Sequence, residues 1–176
     1  MKTSDGGATW FNQSGNLGAS GISSNGLYGV GCISPSKVFI SSADGQIFSS
    51  GDGGSSWSKV ANSGSPWIHS IFFINSSTGS LAGASGTLRR TNDGGNSWNP
   101  AGTGLLSDLN SVAYSDPRHI ITCGASGSIL YSRASGTVWF NQSTNTGTTF
   151  YSVAYSDSVH AVIVGENGTV LTPVTE

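Results

Sequence analysis

Charge is what this 176-residue chain has least of. Asp, Glu, Lys and Arg make up 9% of it, against about 25% in an ordinary globular protein. Seven Lys and Arg cannot lay down the basic footprint a nucleic-acid surface needs, and the net charge is −2. No apolar run approaches the ~20 residues of a membrane-spanning helix, and Met1–Asp5 carries no hydrophobic segment of a secretion signal. Cysteine is down to two. Cys32 and Cys123 have no metal-ligand spacing and read as two buried free thiols rather than a disulfide. His69, His119 and His160 show no i, i+4 or His-x-Glu pattern, so neither a metal site nor a cofactor is expected. What is abundant is glycine, 26 of it, scattered with serine and threonine between short apolar runs. With 5 Trp, 5 Tyr and 7 Phe the chain has the material for a core, and the pattern predicts many short strands joined by tight turns.

Four segments of the chain line up. They end Thr3-Ser4-Asp5-Gly6-Gly7-Ala8-Thr9-Trp10, Ser50-Gly51-Asp52-Gly53-Gly54-Ser55-Ser56-Trp57, Thr91-Asn92-Asp93-Gly94-Gly95-Asn96-Ser97-Trp98 and Ser132-Arg133-Ala134-Ser135-Gly136-Thr137-Val138-Trp139. The tryptophans stand 47, 41 and 41 residues apart, and Ser111–Asp116 recurs as Ser152–Asp157. A period of ~40 residues filled with short strands is the mark of a propeller blade. Residues 1–176 are therefore expected to form one all-β domain, a β-propeller of four-stranded antiparallel blades with four blades to the chain. Strand A opens each full repeat at Tyr28, His69, Asn110 and Tyr151. Strands B and C meet at Asp44-Gly45, Ser85-Gly86, Ser126-Gly127 and Asn167-Gly168, and strand D follows the glycine turn. The N-terminal residues Lys2 to Trp10 supply the Asp box and strand D that the last repeat lacks. Pairing of Thr9–Asn12 onto Thr169–Thr172 of the same chain would close a four-bladed ring. Two chains exchanging these end strands would make a homodimeric eight-bladed ring, and a piece of a longer array is the third arrangement.

The pattern Ser/Thr-x-Asp-x-Gly-x-Ser/Thr-Trp resembles the Asp-box, or BNR, repeat. Three copies match in full, carried by Asp5, Gly7 and Trp10, by Asp52, Gly54 and Trp57, and by Asp93, Gly95 and Trp98. The fourth keeps Gly136 and Trp139 but has Ala134 for Asp and Val138 for Ser/Thr, which puts its turn hydrogen bonds in question. The wording Ser-Asp-Gly-Gly-x-Thr-Trp looks most like sortilin-type receptors, xyloglucanases and the photosystem II assembly factor type of lumenal propeller. The resemblance implies that the boxes are structural and lie opposite the ligand face. It leans the compartment toward the extracellular space, the cell envelope or an organelle lumen. Physically, an Asp that accepts backbone N–H bonds in its own turn needs no catalytic role.

The candidate chemistry is thin. Sialidases, which the box also resembles, use an arginine triad and a nucleophilic Tyr on six blades. Arg89 and Arg90 adjoin, Arg118 and Arg133 fall near the wrong turns, and two blades are missing. A glycosidase needs two carboxylates ~5–10 Å apart. Asp44 and Glu166, in equivalent B–C turns of the first and last blades, are the best pair, and they adjoin only if the ring closes. The loop Phe11–Gly26 is six residues longer than its counterparts and should rise over the face formed by the D–A and B–C loops. Trp67, His69, Asp108 and Phe150 stand at loop ends of that face, where aromatics beside acids suit a peptide or a glycan; Trp67 and Phe150 equally suit plugs between blades. The expectation is a non-enzymatic protein- or peptide-binding scaffold, with a glycan-binding or glycosidase-derived module as the alternative.

Overall fold

Short glycine turns leave room only for short strands. The computed structural model describes residues 2–14, 17, 26–62, 67–144 and 146–172, and over them the chain folds into antiparallel sheets with no helix beyond single 3-10 turns. The first blade holds β1 (Leu27–Cys32), β2 (Val38–Ser42), β3 (Gln46–Ser50) and β4 (Ser58–Asn62). The second holds β5 (Ile68–Phe73), β6 (Gly79–Gly83), β7 (Leu88–Thr91) and β8 (Asn99–Pro100). The third holds β9 (Leu109–Tyr114), β10 (Ile120–Gly124), β11 (Ile129–Ser132) and β12 (Phe140–Asn141). The fourth holds β13 (Phe150–Tyr155), β14 (Ala161–Gly165) and β15 (Val170–Leu171). No helix among the described residues is long and apolar enough to cross a membrane. At the B–C turns Ser85, Ser126 and Asn167 have φ of 54°, 55° and 55°, each followed by a glycine near 70°. These are the two successive left-handed residues that a tight two-residue hairpin needs.

The Asp boxes build their turns from local bonds, and a backbone bond to the neighbouring A–B turn ties each of the three in-blade copies down, Gly53 N to Ser36 O, Gly94 N to Ser77 O and Ser135 N to Arg118 O. In the second blade Thr91 Oγ1 donates to Asp93 Oδ1 at 2.7 Å and accepts from Gly95 N at 2.8 Å, while Ser97 donates to the carboxylate through N (2.9 Å) and Oγ (2.5 Å). The Asp52 and Asp5 boxes repeat the pattern. Gly95 takes φ +83°, and a Cβ on it would sit 2.5 Å from the Phe39 ring, so the box also needs glycine for its approach to the preceding blade. Hydrogen bonds from Ser97, then from its backbone and from Thr91, hold the Asp93 carboxyl down at about 2. The Ala134 copy keeps the serine half of the turn, with Gly136 N on Ser132 Oγ at 2.9 Å. The Ala134 carbonyl accepts from Thr137 N (3.0 Å) and Thr137 Oγ1 (2.7 Å), as the Asp52 and Asp93 carbonyls accept from the Ser55 and Asn96 side chains.

The core lies between the blades. Trp98 is buried against Phe39 of the first blade and Phe73 of its own, ring centroids 6.3 and 5.7 Å away. Such aromatic pairs contribute about 0.5–1.5 kcal/mol each beyond the area they bury. Between blades two and three, Leu88, Leu109, Val112 and Ile120 fill the gap; between three and four, Ile129, Phe150, Val153 and Ile163 do. Val112 N donates to Ser70 Oγ at 3.4 Å and Val153 N to Ser111 Oγ at 3.2 Å, the same bond one blade later.

The inner strands therefore stack in the order β1, β5, β9, β13, and no comparable packing joins β13 back to β1. Over the described residues the chain is an arc of propeller blades, open at both ends. Leu27, Tyr28 and Val30 stand exposed on one end, and Tyr151, Val164 and Val170 on the other. Two sequence expectations change as a result. Thr9–Asn12 does not pair onto β15 of its own chain, and the fourth blade has three strands among the described residues; instead Lys2 and Phe11 bridge each other, so that the N-terminal Asp box folds as a separate hairpin. Cys32 is exposed, because it lies on the open end strand β1, whereas Cys123 is buried and its thiol is pushed up to about 12 by that burial.

Candidate functional site

The D–A and B–C loops emerge from the ends of the blades opposite the Asp boxes, and one cluster of aromatic side chains forms there. Trp67 ends the connection into β5. Its N donates to Ala43 O at 2.8 Å and its O accepts from Ala84 N at 2.9 Å, which ties it to the B–C turns of the first two blades. Between these two clamps its φ is +62°, a left-handed conformation in which a bulky residue is strained. Among the described residues it is the one aromatic with positive φ. The clamped backbone holds the indole outward, 45% exposed. The ring stacks on His69 (centroids 6.4 Å, planes 24° apart) and tilts against Tyr28 (5.3 Å, 51°), and Tyr28 meets His69 edge-on at 6.2 Å.

His69 is the polar hinge of this cluster. Burial pushes its imidazole below the usual 6.5, and the Asp108 carboxylate pulls it back up by a smaller amount. Its Nε2 is buried with no hydrogen-bond partner among the described residues. Asp108 is exposed at the entry to β9; its Oδ1 accepts from Ser85 N at 2.8 Å and its O from Ala125 N at 2.8 Å, so it pins two B–C turns at once. Beside it the loop that precedes β9 folds over Gly86, with Thr103 Oγ1 donating to Gly86 O at 3.2 Å. Leu106 in that loop stands 88% exposed.

Of the residues singled out in sequence, the structure thus gathers Trp67, His69 and Asp108. It does not gather the rest. Phe150 is 1% exposed and packs between blades three and four, so it presents nothing to the face. Asp44 sits in the first blade, bonded to Ser42 Oγ and to Gln46 Nε2. Glu166 sits in the fourth, accepting from Thr149 N at 2.9 Å. The two acids are at opposite ends of the arc, and within one chain they do not form a pair. The long loop Phe11–Gly26 falls mostly outside the described residues, at 15–16 and 18–25. Tyr28 and Leu106 were missed by the sequence reading. Tyr28 carried a signal, since it occupies the strand-A position of His69 one repeat earlier; Leu106 carried none. Among the described residues no three His, Cys, Asp or Glu side chains come together as a metal set. The site offers a stacked Trp67–His69 pair edged by Tyr28, an exposed aliphatic side chain and one carboxylate. That inventory suits holding an extended ligand.

Neither the protein-family models nor the curated proteins contain a match to this chain. Solved structures do. YCF48 from Cyanidioschyzon merolae superposes with a TM-score of 0.71 at 19% identity, over 92% of this chain and 54% of its own. YCF48 bound to D1 peptide gives 0.65 at 14% identity, over 88% and 50%. An ancestral GH74 enzyme gives 0.65 at 18% identity, over 84% and 22%. The chain spans about half the length of the YCF48 chains it matches. At these identities the likeness is one of fold: the chain shares the β-propeller architecture of YCF48 and of the GH74 enzymes and covers part of such a propeller.

Proposed function

We propose that this chain is a non-catalytic scaffold that binds a protein or peptide segment on the face opposite its Asp boxes. The observation that carries the reading is Trp67. Its backbone is held at a positive φ by two hydrogen bonds, which costs stability and keeps an indole in solvent. A strained, exposed aromatic on a rigid scaffold is what a ligand anchor requires. Tyr28 and His69 widen the platform, Leu106 adds an apolar contact, and Asp108 favours a peptide with a basic side chain next to an apolar one. The D1 peptide seen on YCF48 supports a peptide ligand for this architecture.

The test is an array of unstructured peptides probed with the chain and with Trp67→Gly. Peptides pairing a basic with an apolar or aromatic residue should bind, and Trp67→Gly should weaken them at least tenfold. Peptide binding that survives Trp67→Gly and Leu106→Ala unchanged would sink the reading. A glycan-binding module is the second reading, favoured by the exposed indole, which suits a sugar ring, and by the GH74 neighbours. Binding on a glycan array that is lost in Trp67→Ala, with none on the peptide array, would replace the first reading by the second.

A further inference from the structure

We propose that the cleft between the outer parts of blades three and four is a socket for the N-terminal Asp-box hairpin of a second copy of this chain, so that two arcs close into one ring. This surface is separate from the Trp67 platform and does not depend on the peptide reading.

The socket follows from the internal repeat. In the second blade Trp98 fills the space between Phe39 of the preceding blade and Phe73 of its own. One repeat pair later, Ile121 and Tyr155 occupy the positions of Phe39 and Phe73, and Ile129 and Ile163 those of Ile47 and Leu81. All four line a cleft of about 710 Å³ beside β15, whose outer edge has no strand paired to it among the described residues. The cleft is the tryptophan site of a blade that has no tryptophan of its own.

The hairpin that fits it is present elsewhere in the same chain. The Asp5 box has its full set of turn bonds outside any blade, and Trp10 is 59% exposed. Trp10–Ser14 and Trp139–Ser143 read the same five residues, Trp-Phe-Asn-Gln-Ser. In the third blade this pentapeptide is the outer strand: Tyr131 faces Phe140, Leu130 faces Asn141, and Gln142 N donates to Ile129 O at 2.9 Å. Its local shape is preserved in the free copy, because Ser14 N donates to Asn12 Oδ1 at 2.8 Å as Ser143 N does to Asn141 Oδ1. The register carried over places Phe11 opposite Thr172 and Asn12 opposite Leu171.

The occupant is a second copy rather than the chain's own N-terminus for a geometric reason. The hairpin lies against the first blade, across a cleft of about 920 Å³ lined by Trp10, Tyr28, Val30 and Trp57, at the far end of the arc from its socket. In a two-fold dimer each hairpin stays beside its own first blade and completes the fourth blade of the other chain. The exposed strand ends are then paired, which removes two open sheet edges. The blade-to-blade bonds Val112 N to Ser70 Oγ and Val153 N to Ser111 Oγ have a next member across this seam, from Val30 N of one copy to Ser152 Oγ of the other.

Two measurements test it, both in a Cys32→Ser background. Light scattering should give twice the 17.9 kDa of the chain, with the dimer dissociating at a concentration at least tenfold higher in Trp10→Ala; Trp10 is exposed outside the sheets, so this variant should still fold. Chains carrying only Phe11→Cys, mixed with chains carrying only Thr172→Cys, should form a disulfide-linked dimer under mild oxidation, and neither alone should do so. A monomeric mass at all concentrations with no cross-link overturns the proposal. So does a cross-link formed only within single chains that carry both cysteines, which would mean closure by the chain's own hairpin. A dimer indifferent to Trp10→Ala and without the mixed cross-link overturns it as well.

Discussion

Replacing Trp67 by glycine and by alanine separates what its ring does from what its backbone costs. Both variants lose the contacts with Tyr28 and His69, worth about 0.5–1.5 kcal/mol per ring pair when well packed and less here, with the indole 45% exposed. They differ in the backbone. At φ +62° a residue with a Cβ carries about 1–2 kcal/mol of strain that glycine does not. Glycine gives back about 0.4–1 kcal/mol through its greater freedom in the unfolded chain. Trp67→Gly should therefore be more stable than Trp67→Ala by about 0.5–1 kcal/mol, against the usual order of the two residues in a β structure. Urea unfolding of the two variants in parallel, read by far-ultraviolet circular dichroism, measures the difference directly. If Trp67→Ala equals or exceeds Trp67→Gly, the strain at this φ is no larger than glycine's entropy cost of about 0.4–1 kcal/mol, and the argument that the ring is held out at a cost for a ligand fails.

Three further outcomes are expected. Thr91→Val keeps the shape of a buried side chain but leaves the buried Gly95 N–H without its acceptor, a loss of about 1–3 kcal/mol. At this chain length that lowers Tm by roughly 2–4 °C per kcal/mol, readable by calorimetry. Acid should destabilise the fold in two steps. His69 is depressed below 6.5, so the unfolded chain takes its proton first and stability declines as pH falls from about 6.5 toward the folded value. His69→Gln should flatten that limb in pH-dependent urea midpoints. The Asp boxes act lower: with Asp93 at about 2 when folded and 3.8 as its ordinary value, their contribution is complete above 3.8 and vanishes as pH falls through about 2. Asp93→Asn should remove part of that second limb, while Ala134→Asp should add to it and raise the urea midpoint at pH 7.

The blades were legible because the interactions that make them are local. The Asp-box side-chain bonds join residues two to four apart, and three of the four B–C turns need only two adjacent residues at positive φ. Such features are written where they act, and a period of ~40 residues then repeats them. The candidate site was half legible. Trp67, His69 and Asp108 could be placed on one face from the strand order alone. That Tyr28 meets Trp67 depends on how neighbouring blades stack.

The sequence by itself determined an all-β chain of repeated glycine-turned sheets. Only the tertiary structure decided that the arc stays open, that Thr9–Asn12 folds apart from β15, that Cys32 faces solvent and that Phe150 does not. The physical reason is accumulation. Each blade touches its neighbours alone, so whether the ends meet is set by small rotations summed over successive interfaces, and no single stretch of sequence encodes that sum.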